Sequence, residues 1–566
     1  MNARKPFPKS YLLFPLLIAC AVYLAGITTT DLWPPEEPSN AQVAREMLER
    51  GDYIRPYYNG EPHTEKPPLF FWTVMAGARV FGEVDSLAAR LPSVLSALGT
   101  LALLIVFIGE FAGRRAAFLS AILLATSPEF FWLARFGRID MMLTFLITAS
   151  LVSFYRWHAG GERAYLAVFY ACLSLAALAK GPVGMALPLL AALSFLVFRK
   201  EWRRMNKMRL YVGLPAAVAA VLAWYILAYG QSEDGGAAYV IFGQLTRTII
   251  HPDGDAPSML YRPFYHLAAP TWGMAPWSFL VPWAIVAAYR SRKDTPRLFL
   301  LCWGAAIFAF YALVASERKA CILPVYPAAA ALIALWVTRS PSSVSLKLIR
   351  MATGTYGAAL LVIALTAIAL APGYVARAYP EVPLDFNNGL LPVWAGAGVV
   401  AIAAAFFSNR SEHVIGVCAG ASLTTLAVVI ASVLPWMNKY KSPRNLCSVF
   451  NRAKTADSEI AMFGGAAEEY VFYTDSPVRT INSRQDLRLF FDADRRMFCF
   501  VGSPDYNQAL GEADFPAHVV AKQRVNSCMM LLLCNQNVRS YGASSARAIP
   551  GQGVRDQMVG AMNDAN

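Results

Sequence analysis

The stretch DLWPPEEPSNAQVAREMLERGDYIRPYYNGEPHTEKPP, residues 31–68, separates the first hydrophobic run from everything that follows it. It places Glu36-Glu37 after two prolines, an amphipathic helical run over residues 41–50, and Glu65-Lys66 before two further prolines. Loops of more than about 12–15 residues without regular structure are usually functional or disordered. The aromatic residues, prolines and helical period argue against disorder. We therefore predict that this stretch forms half of an active site.

The composition is that of a membrane protein. The 566-residue chain is 56% hydrophobic, with a mean hydropathy of +0.41, whereas soluble chains are about 45–50% apolar. Its apolar residues fall in runs of roughly 17–23 residues, the length needed to cross a bilayer. The formal charge of +13 comes mostly from short loops, which is a signal of membrane topology. We therefore expect an all-α polytopic membrane protein that does not bind nucleic acid.

We predict about 13 transmembrane helices from the apolar runs of spanning length. Their approximate limits are 11–29, 87–108, 116–134, 140–157, 165–180, 182–198, 211–229, 267–288, 298–315, 321–338, 352–371, 391–407 and 414–434. Lys and Arg cluster in alternate loops, for example over 199–209 and 290–297, so the positive-inside rule places the N-terminus in the cytoplasm. Residues 68–81 form a shorter run that carries Arg79, which indicates a helix lying on the membrane surface.

The composition changes after residue 436, where charges alternate with short apolar runs. This pattern predicts a small α/β domain over 436–540 on the external side, and the tail over 541–566 has a composition typical of disorder. The expected strands are 459–464, 477–481, 497–502, 518–523 and 528–534, and the expected helices are 484–491 and 506–512. A disulfide involving Cys499, Cys528 or Cys534 is the less favoured alternative to free thiols.

Many ionisable residues gather at the predicted external ends of the spans. They are Glu36, Glu37, Glu65, Lys66, Arg135, Arg138, Asp140, Lys180, His251, Arg262 and Lys319. Charged groups at a membrane boundary are costly unless they pair with each other or serve a site. Asp140 opens an apolar span directly behind Arg138, and this position favours a functional role.

Some polar residues near these ends also have simpler explanations. Glu37 suits the N-terminus of a helix that begins near Ser39, where an acid is favoured. Lys180 and Arg135 suit membrane anchors whose charged ends reach the surface. His266 lies in an aromatic stretch and is predicted to be a structural histidine.

Around these residues the chain resembles two related families, the bacterial aminoarabinose transferases and the protein O-mannosyltransferase-like enzymes. Both are GT-C glycosyltransferases. The matching motifs, in the order of the families, are Glu36-Glu37-Pro38, Ala44-Arg45-Glu46-Met47, Gly51-Asp52, Asn59-Gly60, Glu65-Lys66-Pro67-Pro68, Ala89-Arg90-Leu91-Pro92-Ser93, Arg138-Ile139-Asp140, Leu178-Ala179-Lys180-Gly181-Pro182, Pro276-Trp277, and Lys319 with Leu323-Pro324 and Tyr326-Pro327.

The resemblance implies a GT-C membrane domain over 1–435, with a first periplasmic loop at 31–86, in the bacterial inner membrane. The active site and the C-terminus would be periplasmic. The implied activity is the inverting transfer of a sugar from undecaprenyl phosphate to an envelope acceptor, with a lipid A phosphate as the leading acceptor. Protein Ser or Thr, or another envelope glycan, is the alternative within this class. A transporter or flippase for lipid-linked sugars is the alternative from another class, but it favours two matching halves, and no repeat is visible in the sequence.

The resemblance also implies roles for single residues. Glu36 would be the acid near the sugar, able to act as a general base, and Asp140 the second acid; a general base contributes typically 10²–10⁴-fold. The charge that grows on the leaving phosphate requires fixed cations. The substrate-binding candidates are Lys66, Lys319, Arg262, Arg138 and Glu37.

Three departures from the family pattern point to a different sugar or acceptor. Glu36-Glu37-Pro38-Ser39 stands where the family usually has Asp-Glu-x-Arg. Ala320 and Cys321 stand where a tyrosine commonly follows the lysine, and Leu260 replaces a usual histidine.

A metal site is a further implication of the resemblance. In aminoarabinose transferases a glutamate and the usual histidine can hold a divalent ion such as zinc. Glu65 and His251 would form that pair here, for zinc or magnesium. Because two protein ligands fall short of the three or four that zinc usually takes, we expect that no cofactor is required.

Overall fold

A computed structural model describes residues 12–230, 236–249, 262–314, 319–339, 343–369, 390–465, 467–510, 517–526 and 528–536. The chain divides into two compact units. The first contains Met1–Leu32 and Asn40–Met437, and the second contains Trp33–Ser39 and Asn438–Asn566. The limits of 1–435, 436–540 and 541–566 expected from the sequence stay predictions.

The first unit is helical apart from a short hairpin of β1 (Tyr57–Tyr58) and β2 (Glu61–Pro62). The helices up to residue 230 are α1 (Phe14–Leu24), α2 (Glu36–Arg50), α3 (Leu69–Phe81), α4 (Ser86–Ala112), α5 (Arg114–Ala125), α6 (Pro128–Ala134), α7 (Ile139–Gly160), α8 (Arg163–Lys180), α9 (Pro182–Phe198), α10 (Trp202–Lys207) and α11 (Leu210–Tyr229). Those that follow are α12 (Gly236–Ile249), α13 (Arg262–Gly273), a 3-10 helix (Trp277–Leu280), α14 (Val281–Arg290), α15 (Thr295–Leu313), a second 3-10 helix (Lys319–Val325), α16 (Tyr326–Arg339), α17 (Ser343–Ala369), α18 (Leu391–Phe407), α19 (Ser411–Val428), a π-helical turn (Val429–Val433) and α20 (Leu434–Lys441).

The protein is a multi-pass membrane protein. Within the described residues, eight helices are long and apolar enough to cross a membrane, or nine if the bent pair α5 and α6 forms one broken span. The two helices of that pair meet at 71°. The expected span 11–29 is shorter here, as α1 has 11 residues, whereas 182–198 and 391–407 coincide with α9 and α18, whose 17 residues are at the short end of what crosses a bilayer. The number of about 13 spans therefore stays a prediction.

Arg90 joins α4 to the segment that leaves α1. Its side chain is 2% exposed. One terminal nitrogen donates to the carbonyl oxygens of Ile27 at 2.7 Å and Thr30 at 2.9 Å, and the other donates to that of Asp31 at 2.6 Å. A guanidinium has enough donors for all of these acceptors. The motif around Arg90 therefore has a structural role at the start of the first loop.

Glu46 joins α2 to the hairpin. Its carboxylate accepts hydrogen bonds from the backbone N–H groups of Asn59 at 2.7 Å and Gly60 at 3.0 Å. Both turn residues have positive φ, 53° and 86°, which is the conformation that makes Asn-Gly the preferred pair in tight hairpins. These two sequence motifs therefore order the first loop.

The second unit contains a five-stranded mixed sheet with the order β4–β3–β5–β7–β6. Its strands are β3 (Glu459–Phe463), β4 (Val478–Ile481), β5 (Met497–Gly502), β6 (His518–Val525) and β7 (Cys528–Cys534), and its helices include α21 (Arg444–Ala453), α22 (Val471–Thr474), α23 (Arg484–Phe491) and α24 (Ser503–Leu510). The strands β4, β3 and β5 are parallel, whereas β7 is antiparallel to both of its neighbours. The central strand β5 is buried along its whole length, which is typical of a strand covered on both faces.

The cysteines of the sheet are free thiols, as are all nine in the chain. Cys499 lies opposite Leu533, and Cys534 lies opposite Phe498. Since successive residues of a strand point to opposite faces, the Cys499 and Cys534 side chains lie on different faces of the sheet. Burial raises the pKa of both thiols, so neither is readily converted to the reactive thiolate.

Candidate active site

Asp140 lies in the first turn of α7 and binds two cations from different parts of the chain. Its side chain is 6% exposed. The Oδ1 atom accepts a hydrogen bond from Lys180 Nζ at 2.5 Å, and Oδ2 accepts from Arg138 Nη2 at 3.0 Å and Nε at 3.2 Å. A carboxylate at a helix N-terminus is also favoured by the helix dipole. Both oxygens are therefore engaged, and the three side chains carry a net charge of about +1.

Lys66 reaches the same region through the first loop. Its Nζ donates to Asn40 Oδ1 at 3.0 Å, and Asn40 Nδ2 donates to the backbone carbonyl of Gly137 at 2.9 Å. Gly137 directly precedes Arg138. Glycine is required there, since a Cβ atom at this position would lie 2.9 Å from the Ala89 carbonyl oxygen. The Asn40 side chain thus connects Lys66 to the backbone directly before Arg138. It links Lys66 in this way to the Asp140 cluster, which consists of Asp140, Lys180 and Arg138.

The corner between α8 and α9 places Lys180. Gly181 has a φ of +71° and Pro182 begins α9, so the chain turns sharply directly after the lysine. A Cβ atom at Gly184 would clash with the carbonyl group of Ala176, which shows how closely α9 approaches α8. The Lys180 ammonium also lies 3.6 Å from the Cys321 thiol of the second 3-10 helix.

An apolar groove of about 610 Å³ lies among α3, α4, α7 and α8. Its lining includes Leu69 and Thr73 of α3, Pro92 and Leu95 of α4, and Met142 and Leu146 of α7. Leu69 follows Lys66 by three residues, and Met142 follows Asp140 by two. The groove therefore involves helices that begin close to the charged groups in sequence, and its lining suits an apolar chain.

Glu129 and Tyr326 form a second, partly buried polar contact that the sequence analysis missed. The Tyr326 hydroxyl donates to Glu129 Oε2, and a Cβ atom at Gly273 would clash with both side chains. Glu129 is an acid near the end of a predicted span, so the rule that selected Asp140 also selects it. Asn40 was missed as well, and an amide in a polar loop has no comparable signal.

Glu36 and Glu37 open α2 and fall in the segment that groups with the second unit. Glu37 is 1% exposed, and its Oε2 atom accepts a hydrogen bond from the Trp33 backbone N–H at 2.9 Å. This contact ties the first turn of α2 to the segment before it, and Glu37 lies at a helix N-terminus, where an acid is favoured. Glu36 is partly buried in the same turn.

The remaining candidate residues lie partly outside the described part of the chain. His251 lies outside it altogether, and of Arg262 and Lys319 only the backbone is described, at the first positions of α13 and of the second 3-10 helix. Glu65 is exposed beside Lys66. Among the described residues no three His, Cys, Asp or Glu side chains are grouped as metal ligands would be. The Glu65 and His251 pair stays a prediction.

Comparison with known proteins supports the resemblance. Residues 65–226 match the family model of dolichyl-phosphate-mannose-protein mannosyltransferases. An undecaprenyl phosphate-alpha-4-amino-4-deoxy-L-arabinose arabinosyl transferase of Yersinia enterocolitica is 26% identical over 412 residues, which are 70% of this chain and 72% of that protein. The protein of the same name from Pseudomonas aeruginosa is 28% identical over 403 residues, 68% of this chain and 70% of that one.

A solved structure with the same fold is that of ArnT from Cupriavidus metallidurans bound to undecaprenyl phosphate. It is 19% identical in sequence, with a TM-score of 0.76, and the alignment covers 96% of this chain and 100% of that one. The protein described here is a membrane glycosyltransferase of the GT-C class. Within that class its sequence is similar to the aminoarabinose transferases and to the protein O-mannosyltransferase-like enzymes.

Proposed function

We propose that this enzyme transfers a sugar, with inversion, from undecaprenyl phosphate to a lipid A phosphate. The observation that carries the proposal is an apolar groove formed in part by α3 and α7, the two helices that begin shortly after Lys66 and directly after Arg138. A polyprenyl phosphate combines one anionic group with one long apolar chain, which is the combination that this region suits. The relatives named as arabinosyl transferases support 4-amino-4-deoxy-L-arabinose as the sugar.

In the proposed reaction an acceptor oxygen attacks the anomeric carbon of the sugar. The bond between that carbon and the carrier's phosphate oxygen breaks, and undecaprenyl phosphate leaves with the electron pair. Its growing negative charge is stabilised by Lys66 and Arg138, with Lys319 and Arg262 as further candidates. Fixed cations in a site of low dielectric stabilise such charge without reorganisation.

Asp140 acts in this proposal mainly through its partners. Both of its oxygens accept hydrogen bonds from cations, so the carboxylate orients Lys180 and Arg138. Glu36 is then the better candidate for a general base.

Glu36 is one turn before Asn40 in α2. If the acceptor is an ionised phosphate, no proton needs to be removed, and Glu36 orients the donor or the acceptor. If the acceptor is a hydroxyl group of a protein, Glu36 takes its proton. The match to the mannosyltransferase family model supports protein Ser or Thr as the second candidate acceptor.

We place the protein in the inner membrane with its N-terminus in the cytoplasm, and with Glu36, Asp140 and the C-terminal unit in the periplasm. The charge distribution of the loops supports this orientation. The steps above require no metal ion. A divalent ion bound by Glu65 and His251 stays a prediction, and a chelator would test it.

The proposal is tested by incubating the purified protein with lipid A and undecaprenyl phosphate-4-amino-4-deoxy-L-arabinose. Undecaprenyl phosphate and a sugar-modified lipid A are the expected products. Lys66→Ala should lower the rate about tenfold to a hundredfold, because a hydrogen bond to a charged group contributes about 1.5–3 kcal/mol. Lys207→Ala removes one positive charge from α10 and should leave the rate unchanged. Equal rates for both variants would contradict the role of Lys66.

A further inference from the structure

Two buried aromatic side chains beside the Asp140 cluster have polar atoms without hydrogen-bond partners among the residues that the structure describes. His266 in α13 has no exposed surface, and neither ring nitrogen has a hydrogen-bond partner among the described residues. The hydroxyl group of Tyr311 in α15 likewise makes no hydrogen bond of normal geometry within that part of the chain. The two rings are 5.8 Å apart. Buried polar groups are normally paired, because an unpaired one costs roughly 1–3 kcal/mol.

Tyr311 connects this pair to the site. It interacts electrostatically with Lys180 and Asp140, and its hydroxyl faces the Cys321 thiol, which is only a weak acceptor. The same thiol lies 3.6 Å from Lys180 Nζ. His266 and Tyr311 therefore adjoin the Lys180 side of Asp140, while Arg138 binds the other carboxylate oxygen.

The chemistry on the Lys180 side of Asp140 suits an uncharged ring with several hydroxyl groups. Lys180 forms an ion pair with Asp140, and the imidazole and the phenol add hydrogen-bonding groups without a permanent charge. A neutral imidazole offers one donor and one acceptor, and a tyrosine hydroxyl offers both. The apolar groove is formed in part by α3 and α7, which begin after Lys66 and Arg138, so the carrier chain and its phosphate suit that side.

We infer that His266 and Tyr311 bind the sugar ring of the donor by hydrogen bonds to its hydroxyl or amino groups. The phosphate then lies toward Arg138 and Lys66. This inference rests on the proposed function, since it assigns the two ends of the donor to the two sides of Asp140. It replaces the prediction that His266 is merely a structural histidine.

Three variants separate this role from a structural one. His266→Phe and Tyr311→Phe keep a ring in place and remove the unpaired polar atoms, so the melting temperature without ligand should not fall. Tyr170→Phe is the matched control, because its hydroxyl donates to the Met208 carbonyl oxygen at 2.9 Å. That variant should melt at a lower temperature and bind the donor normally.

The test compares the thermal stabilisation of the full-length protein by two lipids, undecaprenyl phosphate and undecaprenyl phosphate-4-amino-4-deoxy-L-arabinose. In the wild type the sugar should add a further increase in melting temperature to that given by the carrier. His266→Phe and Tyr311→Phe should each abolish most of that increment, keep the response to the carrier, and weaken donor binding about tenfold, the change that corresponds to about 1.4 kcal/mol.

Three results would overturn the inference. The sugar could add no stabilisation in the wild type, or its increment could persist in both variants. Alternatively, both variants could melt as low as Tyr170→Phe without ligand, which would mean that the polar atoms have protein partners. A wild type that responds to neither lipid would instead remove the proposed function.

Discussion

At the scale of single residues, the candidate site depends on the ion pair between Asp140 and Lys180. Their side chains are 6% and 26% exposed, and Nζ lies 2.5 Å from Oδ1. Removing one partner of a buried pair leaves an uncompensated charge and costs about 3–5 kcal/mol, whereas replacing both is often neutral. The partial exposure of Lys180 places this pair at the lower end of that range.

We predict that Lys180→Met alone lowers both stability and activity. The double variant Asp140→Asn with Lys180→Met should recover only part of the lost stability, because it removes the Asp140 charge that Lys180 balanced but also takes this carboxylate away from Arg138, and it should stay inactive. Melting temperature and donor turnover, measured on all three proteins, check this. Recovery of turnover in the double variant would show that the pair serves only the fold.

The sequence indicated some of these residues and not others. Asp140 and Lys66 were predicted because a charge at a membrane boundary requires a reason. Asn40 was not, because its two contacts with Lys66 and Gly137 join parts of the chain far apart in sequence. Nor does the sequence show that His266 lacks hydrogen-bond partners among the described residues, because this depends on its packing against Tyr311 of α15, which is distant in sequence.

At the scale of elements, the close approach of α9 to α8 holds Lys180 in position. A Cβ atom at Gly184 would clash with the Ala176 carbonyl group. Inserting a methyl group into a well-packed interface typically costs about 1–3 kcal/mol. We therefore predict that Gly184→Ala lowers the melting temperature and reduces donor turnover.

The matched control for this variant is Gly109→Ala in α4. A Cβ atom there would meet only the Ala117 methyl group, at an ordinary distance of 3.8 Å. Gly109→Ala should leave both stability and turnover unchanged, or raise stability slightly, because alanine favours the helix. Similar losses in the two variants would show that packing at Gly184 is not what places Lys180.

Elements of the second unit could be predicted closely, because short apolar runs between turn residues define strands. The observed β3, β5 and β7 (Glu459–Phe463, Met497–Gly502 and Cys528–Cys534) lie within one residue of the expected strands. The membrane helices were harder to delimit. Composition does not show that the run 116–134 bends between α5 and α6.

At the scale of the whole molecule, the second unit carries its own response to pH. Burial raises the pKa of Glu469, and the charge of Glu468 adds to this effect while Lys441 opposes it. A raised pKa means that the folded unit binds the proton more tightly than the unfolded chain. Its contribution to stability is therefore present at low pH and is lost as the pH rises through the pKa of the folded state.

We predict that the strands of the second unit are better protected from hydrogen exchange at about pH 5 than at about pH 8, after correction for intrinsic rates. Glu469→Gln should remove most of this difference in the full-length protein. Glu468→Gln, which changes an exposed neighbour, should reduce it only slightly. An unchanged pH dependence in Glu469→Gln would assign the effect to another group.

Mass spectrometry of lipid A tests the proposed transfer most directly. Matched cells would lack the protein, contain it, or contain Glu36→Gln, Asp140→Asn or the exposed loop control Glu61→Gln. We predict a sugar-sized mass increase on lipid A that requires the protein, disappears in the first two variants and persists in Glu61→Gln. Lipid A of unchanged mass in cells that contain the intact protein would contradict transfer to this acceptor.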